Sequence, residues 1–117
     1  MSKQKNLSLS EMVDAFRDCC LALYDASESD DTRKYNRLMG RLMSIRKALR
    51  DMPGDQRHGV LALYAHPNVV VRLQSAALTV DLAPLEAKRV FEGIKASRIY
   101  PYAADASHAL GNLEGDT

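Results

Sequence analysis

From Leu9 onward, apolar residues recur in steps of three and four with polar residues between them, the period of a helix that buries one stripe. Leu9, Met12, Val13, Phe16, Cys20, Leu23 and Tyr24 share one face of a first helix, predicted over about Leu9 to Ser27. Glu11, Asp14, Asp18 and Asp25 fall on the opposite face. Ser8 and Glu11 have the spacing of a capping box, in which each side chain bonds the other residue's backbone N–H. The cluster Ser27-Glu28-Ser29-Asp30-Asp31 breaks the helix, and Asp30 or Asp31 is expected to cap the next. That second helix is predicted to reach about Met52. Its apolar positions, Tyr35, Leu38, Leu42, Ile45, Leu49 and Met52, alternate steps of three and four, the rhythm of close helix–helix packing. The run is under three heptads, too short for a free-standing coiled coil, so the two helices are expected to form a hairpin.

Pro53-Gly54-Asp55 ends the second helix and starts a short third one, about Gln56 to Ala65, with Val60, Leu61 and Tyr64 inward. His66-Pro67-Asn68 is the next turn, where His66 caps or packs. The fourth helix, about Val69 to Leu82, has two apolar stripes: Val69, Leu73, Ala76 and Val80 on one side, Val71, Leu78 and Leu82 on the other. Only narrow polar strips remain, Arg72 with Thr79 and Gln74 with Asp81, so this helix is expected to sit between neighbours. Pro84 suits the first position of a fifth helix, about Pro84 to Lys95, with Ala87, Val90, Phe91 and Ile94 inward. A sixth, about Pro101 to Asn112, is expected to bury Tyr102, Ala106, Ala109 and Leu110 and to present Asp105, His108 and Asn112 on its polar face. No segment has a strand pattern. One domain is expected over residues 1–117, with 1–7 and 114–117 flexible.

A faint internal repeat runs through the second half. His66-Pro67-Asn68 opens a helix containing Ser75-Ala76-Ala77-Leu78, and 34 residues after Pro67, Tyr100-Pro101-Tyr102 opens one containing Ser107-His108-Ala109-Leu110. Each is preceded by a shorter amphipathic helix, the signature of a stack of two-helix units. The stretch from His66 to Arg72 followed by Ser75-Ala76-Ala77 resembles a HEAT-like repeat: a turn at proline, a Val-Arg step early in the second helix, then alanines. Tetratricopeptide repeats have a similar period, but their tryptophan and glycine-tyrosine signature is absent. The whole chain resembles a bacterial family of small HEAT-like proteins known as domain of unknown function 2019. That resemblance implies an all-α, right-handed α-α superhelix of about three helical hairpins. It implies no established activity and transfers no functional residues.

Composition narrows the class without naming a role. Hydrophobic residues make up 46% and charged residues 26% of the 117, an ordinary globular balance for a chain that needs neither disulfide nor metal to fold. The opening Met1-Ser2-Lys3-Gln4-Lys5-Asn6 lacks the apolar core of a signal peptide, and no apolar run reaches membrane-span length. A cytoplasmic location without membrane association is expected. The two cysteines, Cys19 and Cys20, are neighbours and point about 100° apart on a helix, a poor geometry for a structural disulfide. Cys20 lies mid-stripe, so it is expected to be buried and structural.

No catalytic motif stands out. There is no Gly-x-Ser-x-Gly elbow, phosphate loop or dinucleotide fingerprint. His58, His66 and His108 have no ligand spacing among themselves; Asp105 and His108, one turn apart, are two ligands short of a structural zinc site. The expectation is a non-enzyme with no metal or cofactor. Charge is the anomaly. Residues 8–31 hold seven acids against Arg17, while residues 32–50 hold seven bases (Arg33, Lys34, Arg37, Arg41, Arg46, Lys47 and Arg50) and no acid, within a chain of net charge +1. A basic helix can bind a polyanion. It can equally be a solvated helix whose cationic stems cover the edges of an apolar stripe. The second is preferred, because the adjoining acidic helix cancels much of the distant field.

Repeat stacks usually act by offering a surface to a partner. The expected function is therefore a protein–protein interaction module, adaptor- or immunity-like, with Arg72, Gln74, Tyr102, Asp105, His108 and Asn112 as the candidate surface. The alternative is a nucleic-acid binder using the basic helix 32–50. HEAT-like folds do occur in DNA-alkylation repair glycosylases, but those use a basic concave groove with aromatics. Homo-oligomerisation stays open.

Overall fold

In the computed structural model, which describes residues 8–115, the first helix begins where Ser8 caps it. Ser8 Oγ accepts the Glu11 N–H at 3.2 Å and Glu11 Oε1 accepts the Ser8 N–H at 2.8 Å, the reciprocal box expected from the spacing. Six helices and no strand occur among the described residues: α1 (Leu9–Glu28), α2 (Thr32–Asp51), a 3₁₀ helix (Gln56–Ala65), α3 (Val69–Thr79), α4 (Pro84–Ser97) and α5 (Tyr102–Gly115). The expected flexible segments 1–7 and 116–117 lie outside the described residues, whereas Glu114 and Gly115 continue α5. The sequence reads as one domain; the structure divides into two compact units, with the division in the chain between Val60 and Leu61.

The first unit is a helical hairpin. Asp31, one of the two expected caps, accepts the Lys34 N–H at 3.1 Å and starts α2. Asp30 makes the turn at φ 56°, a left-handed conformation that aspartate tolerates better than most side chains. Phe16, Cys19, Cys20, Leu23 and Ala26 of α1 and Leu42, Ile45 and Leu49 of α2 are buried. Each large apolar side chain removed from water in this way contributes roughly 1.5–3 kcal/mol. Tyr35, expected in the stripe, is instead 36% exposed, because it lies in the first turn of α2 where the packed seam ends.

Gly54 (φ 82°) and Asp55 (φ 53°) reverse the chain after α2. The next segment is 3₁₀ where an ordinary short helix is expected. A Cβ on Gly59 would stand 3.0 Å from Val13 Cγ2 and 3.1 Å from Leu9 Cδ1, so a glycine permits this close approach to α1. Arg57 is buried in the same segment. Its Nε and Nη2 bond the two oxygens of Asp55 at 2.8 and 2.7 Å, a bidentate pair that neutralises a buried charge.

In the second unit, α3 packs on both α4 and α5, and α4 packs on α5. Val70, Val71, Leu73, Ser75, Ala76, Leu78 and Thr79 are all buried, as its two apolar stripes lead one to expect of an interior helix. Asn68 caps α3 by accepting the Val70 and Val71 N–H groups at 2.8 and 3.3 Å, and His66 Nδ1 accepts the Asn68 N–H at 3.0 Å. The helix stops at Thr79, short of the expected Leu82, because Leu82 and Ala83 both donate to the Thr79 carbonyl in a closing turn. Pro84 then opens α4, and Arg98 ends it at φ 59°. Ala87, Phe91 and Ile94 of α4 and Tyr102, Ala103, Ala106 and Leu110 of α5 complete the core.

Candidate functional site

The candidate surface divides when its residues are placed. Tyr102 is 4% exposed, so it is a core residue and no surface contact. Arg72 is half-buried, and its Nε is buried without a hydrogen-bond partner. Gln74, also half-buried, is two residues further along α3 and so points about 200° away from Arg72. The two cannot belong to one patch on that helix. Asp105, His108 and Asn112 do come together: all three are exposed and follow one another at steps of three and four along α5. Partial burial pushes the Asp105 carboxyl up from its ordinary value, and the nearby His108 imidazole pulls it back.

Asn112 also belongs to a groove of about 260 Å³ lined by Ala77 and Val80, Phe91 of α4, and Ala109 and Leu113 of α5. Its walls are apolar and its rim carries one amide. The groove exists because Ala77 and Ala109 are small where two helices face each other. That notch is invisible in either helix alone. Gln74 lies one turn before Ala77 on α3, so it stands next to the groove, while Arg72 is on another side.

The first unit has a different surface. Glu11, Asp14, Ala15, Asp18, Cys19 and Ala22 of α1 and Leu38 and Arg41 of α2 line a groove of about 470 Å³. The acids Glu11, Asp14 and Asp18, expected on the face opposite the apolar stripe, thus border α2, because their strip adjoins the small residues Ala15, Cys19 and Ala22 where the helices meet. Their ion pairs stay local: Arg17 binds Asp14 at 3.2 Å and Asp18 at 2.9 Å. On α2, Lys47 pairs with Asp51 at 2.6 Å. No ion pair among the described residues joins the acids of α1 to the cations of α2.

Cys19 and Cys20 are free and buried. The Cys19 thiol donates to the Leu38 carbonyl at 3.4 Å, and burial pushes its pKa up against the opposing pull of Arg41. Burial, reinforced by Cys19, pushes the Cys20 thiol to about 12, so it carries no thiolate near neutral pH. Among the described residues, no group of three or more His, Cys, Asp or Glu side chains could hold a metal ion. No described helix is long and apolar enough to cross a membrane.

The fold is similar to that of the protein RPA1889 from Rhodopseudomonas palustris CGA009, seen in a crystal structure, with a TM-score of 0.92 and 32% sequence identity, covering 100% of this chain and 97% of that one. No curated protein matches the chain. Residues 10–114, from the first turn of α1 to the last of α5, match the family described as a domain of unknown function (DUF2019). A match over that much of the sequence makes this all-helical chain a member of the DUF2019 family.

Proposed function

We propose that the chain is a protein-interaction module, an adaptor- or immunity-like binding protein of HEAT-like type that acts in the cytoplasm without catalysing a reaction. The observation that carries this is the polar strip Asp105, His108 and Asn112 running into an apolar groove beside Phe91 and Leu113. Protein-binding hot spots have this composition: an apolar pocket that takes an anchoring side chain, and a polar rim that fixes its orientation. The groove holds about 260 Å³ and its lining offers one amide and no charged side chain, which suits an apolar side chain of a partner.

The test is capture of partners from the native host by the wild-type chain and by a His108→Glu/Asn112→Arg variant, both changes being at exposed positions, with mass spectrometry as the readout. Specific partners retained by the wild type and lost by a variant of unchanged helicity support the interaction surface. Partners retained equally by both place binding elsewhere and refute it.

A second reading, nucleic-acid binding through residues 32–50, gains from one observation: the cations of α2 are not consumed by ion pairs with α1. It differs from the first in its dependence on salt.

A further inference from the structure

The surface of α2 is not evenly charged around its circumference. At 100° per residue, Tyr35, Arg46, Met39, Arg50 and Met43 fall in that order within an arc of about 80°, immediately beside the packed seam of Leu42 and Leu49. Tyr35 is 36% and Met43 45% exposed, Arg50 is exposed, and Met39 and Arg46 are half-buried. From Tyr35 to Arg50 the strip is about 23 Å long. Along its length the apolar Tyr35, Met39 and Met43 come first, and the guanidinium groups of Arg46 and Arg50 follow towards the C-terminal end of α2.

Its charge is not consumed by ion pairs, although the Asp55 carboxylate, held by Arg57, also feels Arg50. Neither Arg46 nor Arg50 forms an ion pair with a described residue. Arg57, the next cation in reach, is already held by both oxygens of Asp55. Partial burial, together with repulsion from Arg50 and Arg57, makes the Arg46 charge costly to keep. A carboxylate brought between Arg46 and Arg50 would relieve that repulsion while Arg57 keeps Asp55.

We propose that this strip of α2 — Tyr35, Met39, Met43, Arg46 and Arg50 — docks an acidic amphipathic helix of a partner protein. Leucine-sized side chains of the partner would lie on Met39, Met43 and Tyr35, and glutamates or aspartates one turn away would meet Arg46 and Arg50. Thioethers suit such a site, since a flexible, polarisable side chain adapts to whatever apolar group it meets. A helix of about fifteen residues matches the length of the strip. A nucleic acid fits less well. Only two cations face this flank, while Arg33, Arg37 and Arg41 lie round the far side of α2, so one phosphate backbone cannot collect enough contacts at once. The strip is in the first unit and stands independently of the groove beside Asn112 in the second.

The experiment is selection of displayed random peptides, about fifteen residues long, against the full chain at physiological salt. Selected peptides are then titrated against the wild type, Arg50→Glu and Met43→Ser, both at exposed positions, and against Arg46→Gln, with helicity checked for each. Acidic sequences with apolar residues at steps of three and four, binding about tenfold or more weakly to Arg50→Glu and Met43→Ser, are the expected result. Equal binding by scrambled versions of those sequences, unchanged binding by the variants, basic or uncharged consensus sequences, or no enrichment would each overturn the proposal. So would duplex or single-stranded DNA or RNA that binds this strip and displaces the peptides.

Discussion

The Tyr64 hydroxyl donates its hydrogen bond to Thr79 Oγ1, because Thr79 has already given its own proton to the Ser75 carbonyl at 2.7 Å. Thr79 is fully buried, so this chain of bonds is what allows a hydroxyl to sit inside the second unit. It also takes Thr79, one half of the expected Arg72–Thr79 polar strip of α3, into the core. Tyr64→Phe is expected to cost about 1 kcal/mol in urea unfolding. Burial, with Glu86 and Asp81 adding to it, pushes the Tyr64 phenol above its ordinary value, opposed by the Thr79 hydroxyl if it turns towards a phenolate. A phenol whose folded pKa is raised stabilises the fold fully below the unfolded pKa of about 10, and that contribution is lost as pH rises beyond it. The stability gap between wild type and Tyr64→Phe should therefore shrink above about pH 10. A gap that is constant or widens there would contradict this hydrogen-bond assignment.

Cys20 is expected to resist a thiol reagent in the folded protein and to react only on unfolding. It is fully buried, with its thiol pushed up to about 12. Cys20→Ala should destabilise by about 1 kcal/mol, the usual effect of emptying a small buried volume. Fast modification of Cys20 without denaturant, followed by mass spectrometry, would show that the face of α1 around it opens.

Acid should test the turn before the 3₁₀ helix. The Arg57 hydrogen bonds hold the Asp55 carboxyl at about 2, well below the ordinary carboxylate value. A depressed folded pKa contributes stability that is present above the unfolded value of about 4 and lost as pH falls towards the folded one. Asp55→Asn is expected to flatten the stability profile between about pH 4 and pH 2 relative to wild type. Parallel profiles for the two proteins would mean that the Asp55–Arg57 pair is not maintained in solution.

Nucleic acid should bind weakly and lose its hold with salt. Residues 8–31 sum to −6, seven acids less Arg17, and residues 32–50 to +7. Packed helices lie about 8–10 Å apart, close to the Debye length of about 8 Å at physiological salt. Glu11, Asp14 and Asp18 line the same groove as Arg41, so acids and a cation of opposite sign share one surface. Fluorescent single- and double-stranded DNA and RNA, titrated at low and physiological salt, supply the check. Micromolar or tighter binding at physiological salt, abolished by Arg33→Glu, Arg37→Glu and Arg41→Glu in a still-folded chain, would place nucleic acid ahead of protein as the partner.

The starts of α1, α2 and α4 are legible in the sequence because a local side chain signals each: Ser8 with Glu11, Asp31 and Pro84; at α3 the cap is Asn68, where the sequence points to His66 as capping or packing. The buried faces follow from spacing alone, and Phe16, Leu42, Leu49 and Phe91 are where the period puts them. The inward positions Val60, Leu61 and Tyr64 span only four steps, however, over which rotations of about 120° and 100° per residue part by about 80°, too little to recognise Gln56–Ala65 as 3₁₀ from its apolar positions. Likewise Val80 and Leu82 keep the helical spacing of α3 through a turn that has already left the helix. The groove beside Asn112 is a property of three helices at once. Periodicity gives the exposed strip Asp105, His108 and Asn112, and only packing reveals that Asn112 shares a groove with Phe91 and Val80.

The opposite charges of α1 and α2, side by side and not cancelled by ion pairs between them, make the first unit a dipole with little net charge. The field of a dipole dies away faster with distance than that of a single charge, but it has a direction. A charged partner approaching this unit turns the hairpin before it is much attracted to it, so the hairpin sorts encounters by orientation rather than by frequency. Salt that screens the dipole should leave a bound complex largely intact while raising the share of collisions that arrive the wrong way round.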